Sequence, residues 1–424
     1  MVNWRSLVSI SLVLVFLALG SSPALAFDEF ADHYSPTNFI LRSKLMTLVL
    51  KGELEFEFHD LEGAGGPGHD SPTDTKTIGT RSPFVEIDSF WLAMRMGFSP
   101  SLALFSVLDY RSDSARVGAA WIDFRPPANG RMHHHFEAGY HTPLIKLDRR
   151  TERYPLIGTA YWRQPELHLA YEGAFKFSES TAIEAGLSLA MMRPLTLQGV
   201  QESTSQVGTI NILSCGPASV YSGNSPVGGA YLKARLAGLF LEGFGFWGQL
   251  SNEAGTDVLR SAFPNYRYLP AYNEGEADQF YWYGARLGLD RGGLHLLVEG
   301  IASQEGLLTR AGGYAQASFS FPLPMSRIWF HHIEPLVRLE TFRIMDSATV
   351  HGNDTTLRST APANAASWDW DVATLALIMR AYRDLVTLRI EYYLIREQNG
   401  IPDLGIEDEP LRNNELMVQA EFRF

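Results

Sequence analysis

The sequence predicts an all-β chain: a single transmembrane antiparallel β-barrel of about 16 strands, with short turns on one rim and long loops on the other. Three observations carry this. Strand-length segments alternate between apolar and ionic residues. The connections between them alternate between tight turns and long loops. After the amino-terminal 26 residues no run of 18 apolar residues follows, so no membrane-spanning helix is expected.

Residues 1–26 read as a cleaved secretory signal. Arg5 supplies the positive end, Leu7 to Leu19 is a mostly apolar run, and Ala24-Leu25-Ala26 is a small-x-small cleavage site. Removing it takes away one Arg and no acid, so the mature chain is slightly more acidic than the formal charge of −12. Residues 27–43 are expected to form a short irregular segment on the periplasmic side, and 44–424 the barrel. Charged residues make up 19% of the chain, below the roughly 25% of soluble domains, while aromatics reach 12%. The lone cysteine, Cys215, excludes an internal disulfide, and no Cys-x-x-Cys-His haem attachment motif is present. The acidic charge disfavours nucleic-acid binding.

The first strand sets the pattern. From Leu45 to Phe58 one face carries Met46, Leu48, Leu50, Gly52, Leu54, Phe56 and Phe58. The other carries Thr47, Val49, Lys51, Glu53, Glu55 and Glu57. Successive strand side chains point to opposite faces, so this is one apolar face and one ionic face. The same reading recurs over 84–98, 101–110, 116–124, 133–144, 166–177, 182–192, 229–236, 239–250, 277–289, 293–303, 312–321, 327–344, 367–380, 385–396 and 413–424. Every second connection is a short turn. Those between are mostly long: 59–83, 145–165, 193–228, 251–276, 345–366 and 397–412.

The last two strands assign the faces. Val386, Leu388, Ile390, Tyr392 and Leu394 oppose Thr387, Arg389, Glu391 and Tyr393; Leu416, Val418, Ala420, Phe422 and Phe424 oppose Glu415, Gln419, Glu421 and Arg423. A Lys or Arg facing lipid at mid-bilayer costs about 2–4 kcal/mol, so the apolar set is expected outside. Lys51, Glu53, Glu55, Glu57, Arg389 and Glu391 are then expected to face the lumen. Sixteen strands enclose more space than side chains fill. The short segment 27–43 leaves no room for a plug domain, so an open or loop-constricted lumen is expected. Trp91, Trp121, Trp247, Tyr281, Trp282, Tyr283, Trp329, Trp368 and Trp370 are candidates for interfacial girdles.

Phe424 at the end of an alternating apolar strand resembles the final-strand signal of bacterial outer-membrane proteins, and the strand count resembles the 16-stranded porins. More narrowly, Phe136-Glu137-Ala138-Gly139-Tyr140-His141-Thr142-Pro143-Leu144, followed by Glu152-Arg153, resembles the Gly-aromatic-x-x-Pro stretch and basic loop of phosphate-selective-type porins. The resemblance implies an outer-membrane location, a homotrimer surrounded by outer-membrane lipid, passage of small hydrophilic solutes, and a third extracellular loop folded into the lumen. By order of connections that loop is 145–165.

This loop holds an unusual density of charge. Lys146, Arg149, Arg150, Arg153 and Arg163 accompany Asp148 and Glu152. If it narrows the lumen, its bases favour anions, and guanidinium forks suit phosphate and carboxylate. Asp148 and Glu152 oppose this by pairing with the arginines and tying the loop down, so the expectation is a pore constriction with modest anion preference.

No metal site or cofactor is expected. In His133-His134-His135 adjacent side chains point to opposite faces, leaving only His133 and His135 to share a ligand; His331-His332 has the same defect. No Gly-x-Ser-x-Gly elbow, His-Glu-x-x-His or phosphate-cradling glycine loop occurs, so no enzyme is expected. The alternative in a different class is a barrel serving as sheath or scaffold for a partner such as a multihaem electron-transfer protein.

Overall fold

The structure, a computed structural model, describes residues 39–43, 45–61, 83–111, 114–141, 144, 150–151, 166–191, 195–198, 212–215, 226–249, 279–305, 308–323, 330–344, 369–382, 384–398 and 414–424. Residues 1–26, expected to be a cleaved signal, lie outside them.

Sixteen antiparallel strands close into one barrel. They are β1 (Thr47–Leu61), β2 (Phe84–Ser99), β3 (Leu102–Arg111), β4 (Ser114–Phe124), β5 (Met132–His141), β6 (Glu166–Ser178), β7 (Thr181–Met191) and β8 (Pro226–Leu236). The second half comprises β9 (Leu239–Gln249), β10 (Gln279–Arg291), β11 (Leu294–Glu305), β12 (Leu308–Phe319), β13 (Phe330–Ile344), β14 (Asp369–Ala381), β15 (Val386–Gln398) and β16 (Glu415–Arg423). Each pairs with its chain neighbour, and β16 also pairs with β1 in the register Glu53↔Arg423 to Leu61↔Glu415. Closure leaves no sheet edge, the condition for a strand-built wall in lipid. Among the described residues there is no helix.

The alternation sorts side chains as the sequence predicts. On β13, Glu334 and Arg338 are each 1% exposed, whereas Val337 and Leu339 are 45% and 58% exposed. An ionic group on the outer side would face lipid without a partner, and an apolar one facing inward would forgo burial in lipid. Two tight turns run through positive φ: Ala237-Gly238 joins β8 to β9 and Gly292-Gly293 joins β10 to β11, the hairpin geometry that matches strand twist.

Three features add to the expected plan. Residues Phe39–Arg42, within the segment expected to be irregular, form a short strand against Thr47–Leu50. The reason is backbone satisfaction. β16 pairs with β1 only from Glu53 onward, so residues 47–50 need another partner on that side. The Ser43 hydroxyl caps the turn by accepting from the Leu45 and Met46 amides. Secondly, the connection 193–228 contains a small hairpin, Leu195–Gln198 with Ile212–Cys215. Thirdly, Pro322, expected in the turn after the strand 312–321, continues the pairing of Phe321 with Ile333 by lying opposite His332.

The aromatic girdle needs correction. Trp247 and Tyr283 are exposed on the outer face, but Trp91, Trp121 and Trp282 point inward. Trp91 donates to Glu53 at 2.8 Å, Trp121 stacks on Phe105, and Trp282, 1% exposed, packs against Phe244 and Phe246. Strand parity decides this: Trp91 lies opposite the inward Glu53, and Trp282 alternates with the outward Tyr283. Trp329, Trp368 and the Trp370 side chain lie outside the described residues.

Candidate functional site

The site is the connection from β5 to β6 and the wall it touches. Its entry is built by Gly139, whose φ of 145° is unfavourable for a side-chain-bearing residue. A Cβ there would also overlap the Ala120 carbonyl oxygen on β4. This explains the glycine in the Gly139-Tyr140-His141-Thr142-Pro143 run. Just beyond, Leu144 is buried and packs in the notch left by Gly186 on β7, beside the Tyr231 ring. Gly186 and Tyr231 lie on the inner face, so the chain has turned into the barrel by residue 144.

Arg150 and Thr151 lie at the far wall. Arg150 Nη1 donates to Glu334 Oε1 at 2.8 Å, and Arg338 Nη1 donates to the Thr151 hydroxyl at 2.6 Å. Thr151 is 1% exposed. Both acceptor and donor belong to β13, eight strands round from β5, which is the opposite side of a 16-stranded ring. Glu334 also accepts from Ser318 Oγ at 2.6 Å and pairs with Arg380 at 3.7 Å. Arg338 is steadied by Glu340, 3.2 Å away. A buried carboxylate requires such partners, since an uncompensated one is costly; here a segment from the opposite side of the barrel supplies one of them.

Of the other loop residues singled out from the sequence, Lys146, Arg149, Glu152, Arg153 and Arg163 lie outside the described residues, as does Asp148. The strand charges cluster at the seam where β1, β15 and β16 meet. Glu53 accepts from Arg423 at 3.0 Å. Arg389 pairs with Glu421 at 2.7 Å and bonds Gln419, whose amide donates to Glu57 at 2.8 Å. Glu391 accepts from Tyr393. Lys51 lies over the Trp91 ring, 4.9 Å from its centroid, a cation–π distance. Glu55 is buried between Glu53 and Glu57 along the same face.

Sequence reasoning missed the role of the landing residues on β13. Their partners come from 184 and 187 positions away, and no local pattern encodes such a pairing.

No protein-family model matches the chain, and no curated protein matches it by sequence. Solved structures do match by shape. OmpF of Salmonella typhi aligns with a TM-score of 0.56 at 8% identity, covering 91% of this chain and 100% of that one. An anion-selective porin from Comamonas acidovorans aligns at 0.50 with 9% identity, covering 89% and 100%. OmpT of Vibrio cholerae, in a trimer form, aligns at 0.50 with 10% identity, covering 90% and 100%. Identities this low establish the fold alone. That fold is the 16-stranded barrel of outer-membrane porins, and the likeness does not single out the phosphate-selective type.

Proposed function

We propose that the chain is an outer-membrane channel for passive diffusion of small hydrophilic solutes, narrowed by the connection 145–165. One observation carries this reading: Arg150 and Thr151 meet Glu334 and Arg338 across the lumen from the strands that bear them. An apolar outer face, closed strands and an ionic inner face are what a water-filled pore in lipid requires. A secretory signal and the porin-type fold support the outer membrane as the location. The trimer form of the Vibrio cholerae neighbour supports a homotrimer here.

In this reading Lys146, Arg149, Arg150, Glu152, Arg153 and Arg163 form the pore constriction and set a modest anion preference. Glu334 cancels part of the Arg150 charge, which keeps that preference small. The test is planar-bilayer recording of the purified chain. Stepwise conductance with reversal potentials shifted slightly toward the anion potential is expected. Arg150→Ala is expected to raise conductance and reduce that shift. A chain that inserts and conducts nothing, or is clearly cation-selective, overturns the reading.

A further inference from the structure

A second cluster lies on the inner wall near the turn-side rim, three strands from the seam. Asp123 is the penultimate residue of β4 and Glu137 sits directly opposite it on β5. Two carboxylates facing each other across a strand pair repel, and both point inward where they are largely buried. His135, on the same face of β5, places Nε2 2.9 Å from Asp123 Oδ2 and 3.4 Å from Glu137 Oε1. One oxygen from each carboxylate and the imidazole nitrogen all lie within 4.8 Å of one another. Bonds of 2.0–2.2 Å from a zinc-like ion to N and O donors put neighbouring donors about 3.4 Å apart, so three converging ligand atoms at these spacings fit around one ion.

The other side of the imidazole is arranged as a metal-binding histidine requires. His135 Nδ1 lies 3.2 Å from Glu172 Oε1, its directly opposed residue on β6. Glu172 is itself fixed by the Tyr231 hydroxyl, which donates to Oε2 at 2.5 Å. When an ion displaces the proton between Nε2 and Asp123, a carboxylate on Nδ1–H holds the tautomer whose Nε2 lone pair faces the metal and raises its basicity. Arg125, half-exposed on the turn, currently balances Asp123, with Nε on Oδ1 and Nη2 on Oδ2, each at 3.0 Å. Yielding Oδ2 to an ion leaves its Oδ1 contact in place.

We propose that Asp123, His135 and Glu137 form a binding site for a divalent transition metal of the zinc type, with Glu172 and Tyr231 positioning His135. The donor set of one imidazole and two carboxylates favours such an ion over magnesium, which prefers all-oxygen octahedral sites. The site is independent of which solutes cross the channel. It differs from the Glu53, Glu55 and Glu421 group, whose donors are all carboxylates and whose charge is met by Arg389 and Arg423.

The test is isothermal titration of the untagged mature chain, folded in detergent, with zinc chloride and separately with magnesium chloride. One zinc ion per chain, with magnesium much weaker, is expected. His135→Ala is expected to abolish that binding. Glu172→Gln is expected to weaken it about 10–100-fold, and Tyr231→Phe, which removes only the hydroxyl, in the same direction. His134→Ala, whose ring lies on the outer face against Tyr171, and His59→Ala are expected to leave it unchanged. Should His135→Ala fail to fold, as judged by heat-modifiable gel migration, Glu137→Gln takes its place with the same expected loss. Zinc binding that survives in the ligand variants, or Glu172→Gln binding as tightly as the unaltered chain, overturns the proposal.

Discussion

The seam of the barrel and the inner face of β13 carry similar residues and use them differently. At the seam, charges on β1, β15 and β16 pair with one another along the wall: Glu53 with Arg423, Arg389 with Glu421, His59 with both Glu57 and Glu415. At β13, Glu334 and Arg338 meet side chains of a connection that starts on the opposite side. The first arrangement closes the wall; the second fixes what lies inside it. A carboxylate's role in this lumen is therefore set by where its partner comes from, and the two regions should respond differently to mutation.

The largest effect is expected from Glu334→Ala. It removes the carboxylate shared by the partly exposed Arg150 and Arg380 and the acceptor of Ser318, and should lower unfolding stability by about 1.5–3 kcal/mol, measured by tryptophan fluorescence during denaturant unfolding in vesicles. Single-channel conductance should rise with it. Next is Gly52→Val at the seam. The Phe424 ring lies over Gly52, whose amide and carbonyl both bond Phe424, so overpacking should cost about 1–3 kcal/mol while the conductance of folded channels stays the same. Thr151→Val removes one acceptor from Arg338, which keeps Glu340; about 1 kcal/mol is expected, with larger current fluctuations as the connection loosens. The smallest effect is expected from Glu53→Gln. The amide oxygen can still accept from Trp91, and the half-exposed Arg423 loses one of two carboxylate partners while keeping Glu421, so less than about 1 kcal/mol is expected. If Glu53→Gln opened the channel, or Glu334→Ala left conductance unaltered, the division between the two regions would fail.

The wall was legible in the sequence because its rule is local. Leu54, Phe56 and Phe58 alternate with Glu53, Glu55 and Glu57, and parity alone assigns their faces. Parity was also the information neglected for Trp91, Trp121 and Trp282: aromatic type suggested a girdle, while their odd or even place in the strand put them inside. The loop was legible as a position, the third connection on the loop-side rim, but its partners on β13 were not, since contact across a lumen leaves no periodic trace. The histidine run shows the same limit. Within 133–135 the residues point to opposite faces, and the companions of His135 are Asp123, Glu137 and Glu172, found only once strand register is known.

The contact between Arg150 and β13 also has a mechanical meaning. A thin ring is stiff against stretching of its circumference, which here is hydrogen-bonded throughout, but soft against being squashed into an ellipse. The bonds from Arg150 and Thr151 to Glu334 and Arg338 join the connection from β5 to β13, and such a cross-link should oppose changes in that diameter. The perpendicular diameter, from β1 to β9, has no such cross-link among the described residues. Lateral pressure from the bilayer should thus deform the barrel chiefly along the line that ends at the seam, where the wall's own cross-linked charges must bear the load.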